Sequence, residues 1–225
     1  MNEVSNVSVL TNLGYVRALS SWGVIDKGNE LPVLKAVALF QDGDNVTAVA
    51  TNRYSIVQHK TVIGSLIGSI VREPDYDALI LIPFVLLAQF VKAAAANKNP
   101  EMPVTIRISD DSVEIQMYEI LVRGANIRGQ YPRVDKFMDE KEPAKNTVRT
   151  FGFPSKQIVY LPKLIAPGSI SKPVDYDYQA TFTDSSSLDK AGPIVFTISS
   201  DPNFMVVVQP LMNANAHSWK GATNG

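Results

Sequence analysis

The side chains that could do chemistry are few. Two histidines, His59 and His217, stand far apart, and there is no cysteine. Disulfides, thiolate nucleophiles and cysteine metal sites are therefore excluded, and a histidine-centred triad or metal cluster has little material. Carboxylates cluster at Asp110-Asp111 and at Asp175 and Asp177. Such neighbours in a turn are solvated loop residues unless a second acid or base faces them, and nothing in the sequence supplies one. Asp42-Gly43-Asp44 opens like a calcium loop but lacks the remaining ligands and the closing Glu, which leaves a hairpin turn. No glycine-rich phosphate loop is present. The expectation is a protein that is not an enzyme and takes no cofactor and no metal.

What remains is the stretch from Arg123 to Phe137, RGANIRGQYPRVDKF. It falls where an alternating strand pattern ends. A turn needs Gly or Pro; it does not need an aromatic, three arginines and a lysine around them. Catalysis, nucleic-acid contact and plain chain reversal all use such residues, so the neighbours must decide.

The chain has 225 residues, of which 45% are hydrophobic and 19% charged, the ordinary balance of a soluble globular protein. Two units of roughly 100 residues would each have volume for a core. With 21 basic and 22 acidic side chains the formal charge is −1. That argues against holding nucleic acid by bulk positive charge but leaves room for a locally basic face. The start, MNEVSNVSVL, has no basic n-region or long apolar core, and no apolar run reaches the ~18 residues of a membrane span. A cytoplasmic protein with no membrane partner is expected, and the glycosylation patterns at Asn6 and Asn45 read as accidental.

Three segments share one order of signals. In the first, a short apolar start (residues 7–10) leads through the cap candidates Thr11 and Asn12 to a helix over 13–24, then strands over 34–41, 46–54 and 55–62. In the second, a strand at 78–83 precedes a helix at 83–98 with Pro83 at its start, then strands at 104–111, 112–119 and 120–127. Val85, Leu86, Phe90 and Ala93 recur at helical spacing and are expected to be its buried face, with Lys92 and Lys98 outside. The third has a strand at 148–153, a short helix at 154–166 that Pro162 should end early, and strands at 176–184, 193–200 and 204–211. The fold class expected is α+β, repeated β-α-β-β-β half-domains with helices on one face of antiparallel sheets. Half-domains at about 1–70 and 71–140 form one domain over 1–140. A linker at 141–147, broken by Pro143, leads to a third half-domain at 148–213 and a tail at 214–225.

These segments resemble the DNA clamp fold of the beta subunit of bacterial DNA polymerase III, the sliding clamp or processivity factor of DNA replication. The matching runs are LPVLKAVALFQDGDNVTAVATNRYSIV, LILIPFVLLAQFVK, ILVRGANIRGQYPRVDKF, FGFPSKQIVYL and PIVFTISSDPNFMVVVQPLM. The resemblance implies a ring oligomer with helices on its inner wall. It would encircle double-stranded DNA non-specifically and tether a DNA polymerase. The family's ring contains twelve half-domains, so a chain supplying three implies a homo-oligomer whose subunit number stays open, four being arithmetically possible. A clamp that must slide should touch phosphates with long flexible cations and cannot read bases. The candidates on the three helices are Arg17 and Lys27, Lys92 and Lys98, and Lys156 and Lys163.

The resemblance also implies a hydrophobic pocket for short peptides of the polymerase and of the clamp loader. Its walls would be Thr51, Arg53, Tyr54 and Ile56, then Pro132 and Phe137 from the corner, and Val207, Val208, Pro210 and Leu211 from the last strand. The chain departs from the family at Ser55-Ile56, where an Arg-Leu pair is usual, and at Gln209-Pro210, where Met-Pro is usual. The accepted partner motif should differ accordingly, and the short chain points to a divergent, phage-encoded version working in the host cytoplasm. The alternative is a clamp-fold interaction or structural module that does not encircle DNA, since both need the same cores.

Overall fold

A computed structural model describes residues 7–26, 31–72, 79–132, 134, 159–168, 176–184 and 191–209. The expected linker at 141–147, the strand at 148–153 and the tail at 214–225 lie outside them. The first segment forms β1 (Val7–Asn12), α1 (Leu13–Ser21), β2 (Ala36–Asp42), β3 (Asn45–Thr51), β4 (Ser55–Val62) and β5 (Ile67–Arg72). The second forms β6 (Ile80–Pro83), α2 (Phe84–Ala93), β7 (Pro103–Ile108), β8 (Ser112–Met117) and β9 (Ile120–Ala125). The third contributes β10 (Tyr178–Asp184), β11 (Ala191–Ile198) and β12 (Asp201–Val208). The sequence pattern does not predict β5, because Gly68 and Ser69 dilute its strand signal.

Local chemistry accounts for the elements. Asn12 caps α1 by accepting the amide of Tyr15 at 2.8 Å, and Pro83 ends β6 and opens α2 with a φ of −61° that suits a helix entry. The Asp42–Asn45 pair closes a two-residue hairpin in which Gly43 takes φ +56°, as glycine does readily. On α2 the buried residues are Phe84, Leu86, Leu87 and Phe90, while Val85 is 61% exposed and Ala93 is exposed as well. The expected assignment of Val85 and Ala93 to the core face is therefore corrected: with Gln89 between them they form one outward stripe at four-residue spacing, beside Lys92. The third helix is also corrected. Within 159–168 the backbone makes a single tight 3-10 turn at Leu161–Lys163, and Leu164 is already extended. Pro162 cannot donate the amide hydrogen bond an α-helix needs.

The strands assemble into two antiparallel sheets, ordered β5-β1-β7-β8-β9 and β10-β11-β12-β4-β3-β2-β6. The segments exchange their first strands. β1 pairs with β7 of the second segment, and β6 pairs with β2 of the first. β12 joins the third segment to the first by running antiparallel to β4, from Phe204 opposite His59 to Val208 opposite Ser55. Gly14 sits against Pro100 beyond the end of α2, and Gly23 against Phe84 at its start, so α1 and α2 lie side by side and antiparallel.

The sheets bury their faces in two directions. Val37, Leu39, Ala48, Ala50, Val57, Val206 and Val208 point to the helices and share one core with Leu13, Val16, Leu19, Leu87 and Phe90. Ala36, Ala38, Val49, Ile56 and Val207 point the other way and form a second cluster with Tyr131 and Val134. Strand period two makes that division, and burial at ~25 cal/mol per Å² favours covering both faces. The third segment is pinned to α1 by Trp22, fully buried, whose Nε1 donates to the Ile165 carbonyl at 3.1 Å and whose ring lies 6.1 Å from Phe204. No helix among the described residues is long and apolar enough to cross a membrane.

A polar cluster is buried at the β4–β12 seam. His59 Nε2 lies 3.4 Å from Asp201 Oδ2, which also accepts the Gly168 amide at 2.7 Å, while Asp201 Oδ1 accepts the Asn203 amide at 3.2 Å. Burial pushes the Asp201 carboxyl up, but the His59 hydrogen bond and charge and the two amides outweigh it, leaving its pKa below the ordinary carboxylate value. A depressed carboxyl contributes stability that is complete above its unfolded pKa and is lost as pH falls through the lower native one. Acid titration of stability should therefore show a loss below the ordinary carboxylate range that Asp201→Asn removes. Parallel curves for the two proteins in urea melts across that range would contradict it.

Candidate functional site

The tight turn between β3 and β4 is built from its own side chains. Thr51 Oγ1 donates to the Ser55 carbonyl at 2.8 Å and accepts the Arg53 amide at 3.2 Å. Asn52 Oδ1 accepts the amides of Tyr54 and Ser55 at 3.0 and 2.8 Å, and its Nδ2 reaches the Ile25 carbonyl at 3.1 Å. This arrangement holds Arg53 at φ +77°, the left-handed region that costs an L-residue other than glycine about 1–2 kcal/mol. The Gln209 amide then donates to the Tyr54 carbonyl at 2.8 Å and ties the end of β12 to the turn.

Thr51, Ile56 and Val207 are direct cross-strand neighbours on β3, β4 and β12 and form an apolar floor. Over it opens a cleft of about 200 Å³, walled by Arg53 and Tyr54 from the turn, Gln209 from β12, and Pro132 and Val134. Tyr54 is 53% exposed, an aromatic face offered to solvent at the rim.

Pro132 and Val134 come from the corner after β9, and its residues have separate tasks. Arg123 pairs with Glu114 across β8 and β9 at 3.4 Å. Arg128 reaches Asp110 Oδ1 at 2.6 Å and the Asp110 carbonyl at 3.0 Å, and the Asn126 amide donates to the Asp111 carbonyl at 3.0 Å. The Asp110-Asp111 pair is thus the anchor of this strap. Gly129 follows at φ +145°, where an added Cβ would come within 2.7 Å of Val33 Cγ1. Tyr131 then lies buried across the second face of the sheet, its hydroxyl donating to the Val49 carbonyl at 3.2 Å. Burial pushes its pKa well up, so it stays a neutral donor. The strap covers the sheet and delivers Pro132 to the cleft.

Of the residues expected at a pocket, Thr51, Arg53, Tyr54, Ile56, Pro132 and Val207 come together here. Val208 is a correction: it is fully buried in the helix-side core, because adjacent strand residues face opposite ways. Val134 is a wall the sequence does not nominate, though its place two residues after Pro132 is a signal for it, and Gln209, named there only as a departure from the family, lines the cleft as well. Phe137, Pro210 and Leu211 lie outside the described residues.

The helix cations divide similarly. Arg17 is not a free cation: its Nη2 donates to the carbonyls of Asn97 at 2.6 Å and Ala94 at 3.4 Å, capping the end of α2. Lys92 and Lys98 lie toward solvent, with Lys98 Nζ 3.0 Å from the Ala95 carbonyl. Lys163 is exposed on the turn that docks beside α1. Lys27 and Lys156 lie outside the described residues. Neither α1 nor α2 carries an Asp or Glu. Among the described residues no three His, Asp or Glu side chains gather where a metal could be held.

No protein-family model matches the chain, and no curated protein is significantly similar to it in sequence. Solved structures do match. The DNA polymerase sliding clamp of Pseudomonas aeruginosa aligns over 94% of this chain and 67% of its own, at 10% identity and a TM-score of 0.64. The sliding clamp of Bartonella birtlesii, bound to griselimycin, gives 94%, 68%, 10% and 0.65. The DNA polymerase III beta subunit of Borrelia burgdorferi, in complex with a natural product, gives 94%, 65%, 12% and 0.64. The fold is therefore the α+β clamp fold of antiparallel sheets: the sequence pattern predicts the α+β class, and the resemblance implies the clamp.

Two substitutions at the turn should act in opposite directions. Arg53→Gly should stabilise the protein by about 0.5–1 kcal/mol by relieving the left-handed strain. Asn52→Ala removes three hydrogen bonds and should cost about 2–3 kcal/mol. Chemical denaturation of both variants checks the pair, and a destabilised Arg53→Gly would mean the turn is not strained.

Proposed function

We propose that this protein is a DNA sliding clamp, a homo-oligomeric ring around duplex DNA that holds a replicative polymerase through a peptide seated in the β3–β4/β12 cleft. The observation that carries the reading is the helix layer. α1 and α2 lie side by side, free of carboxylates, on the sheet face opposite the strap, with Lys92 exposed on α2, while Lys98, beyond the end of α2, and Lys163, on the turn that docks beside α1, are exposed as well. Mobile cations on such a surface attract phosphates without fixing a register, which sliding requires. With Arg17 committed to α2, few described cations remain, so the ring would hold DNA by topology more than by affinity.

The cleft supports the tether. A floor of Thr51, Ile56 and Val207 under an exposed Tyr54 suits a short linear segment anchored by one or two apolar side chains. The half-domain boundaries at about 70, 140 and 148 belong to the same proposal, as do a separate loading ATPase and a phage origin. A second reading, a clamp-fold module that does not encircle DNA, is favoured by the engagement of Arg17.

The two readings part in simple experiments. Native mass spectrometry should give a closed oligomer, and complexes on circular DNA should survive gel filtration but dissociate when the circle is cut. A strict monomer, or equal retention on both forms, would remove the ring. Replacing Lys92, Lys98 and Lys163 by Glu should weaken duplex binding at low salt. It should also flatten the salt dependence, by up to about 0.9 in slope for each phosphate no longer neutralised, while leaving the thermal midpoint within a few degrees.

A further inference from the structure

Arg53 is the one charged residue lining the cleft among the described residues. Its backbone sits where glycine would sit at lower cost. The turn does not need its side chain, since Thr51 and Asn52 satisfy the amides of residues 53, 54 and 55. The guanidinium is exposed and has no carboxylate partner among the described residues. A strained position held by a residue whose side chain serves no part of the described fold points to a use for that side chain outside the fold. Beside it lie Ile56, Pro132, Val134 and Val207, an apolar surface that excludes water from one side and so strengthens a charge pair formed at its rim. A planar guanidinium offers two parallel donors matched to a carboxylate.

We propose that Arg53 makes this cleft selective for an extended partner segment in which an Asp or Glu flanks the apolar anchor: the anchor fills the floor over Ile56 and Val207, and the flanking carboxylate pairs with the guanidinium. The inference rests on the cleft being a peptide site, as proposed above, and adds the charge of the peptide. Among the described residues of the rim, Tyr54 and Gln209 are neutral, so Arg53 is the one that sets the sign.

The test uses the full chain and an array of capped peptides. Each carries an aliphatic or aromatic residue at two adjacent positions, flanked by glutamate, glutamine or lysine, with affinities read by fluorescence polarisation. Glutamate peptides should bind about two- to fivefold more tightly than their glutamine partners, the range of an exposed ion pair. Lysine peptides should bind more weakly still, and the spread should narrow as salt is raised. In Arg53→Gly, whose backbone suits the turn, the glutamate-to-glutamine ratio should fall to one, and in Arg53→Glu it should invert. Tight binding with the same ratio in the native protein and Arg53→Gly overturns the role of Arg53 while leaving the peptide site standing. Binding of no peptide, or binding indifferent to Ile56→Asp in a folded variant, overturns the site and this inference together.

Discussion

The antiparallel pairing of β4 with β12 is the contact on which the rest of the molecule depends. It places Ile56 opposite Val207 and Ser55 opposite Val208, joining residues about 150 positions apart into one sheet surface. Main-chain hydrogen bonds supply the register, but the specificity lies in the side chains. A slip by one residue would turn Val206 and Val208 out of the helix-side core and bury Met205 and Val207 in their place. The His59–Asp201 contact sits at this seam, where a polar pair that must meet within hydrogen-bonding distance penalises any other register.

A sheet buried on both faces needs two kinds of cover. Helices α1 and α2 supply one, and the strap after β9 supplies the other. The strap is fastened at intervals: Arg128 to Asp110, Gly129 in close approach to Val33, and Tyr131 through its hydroxyl bond to Val49. Because its course is set by these contacts, Pro132 and Val134 arrive beside the β3–β4 turn. Three of the described arginines have structural contacts. Arg17, Arg123 and Arg128 each hold one element against another. The engagement of Arg17 leaves the described helix face lightly charged.

The turn bearing Arg53 shows the opposite economy. Most of the molecule satisfies local preference, from the Asn12 cap to the Gly43 hairpin, and there the easiest conformation is also the one required. Arg53 departs from that rule at the rim of the cleft. Local strain of this kind arises where a side chain projects from a position the backbone would give to glycine.

Element type was largely legible from the residues. Alternation marked the strands of β7, β8 and β9, the apolar stripe marked α2, Asn12 marked the cap of α1, and Pro162 marked where a third helix could not continue. These are local effects, decided within a few residues by side-chain direction and backbone sterics. The exchange of β1 and β6, the capture of Arg17 by the end of α2, the inward turn of Val208 and the fastening of the strap were decided only by tertiary structure. Each depends on which surface lies opposite, and no period in the sequence encodes that. Thr51, Tyr54 and Val207 could be nominated one by one; only the sheet that brings β3, β4 and β12 together makes them a cleft.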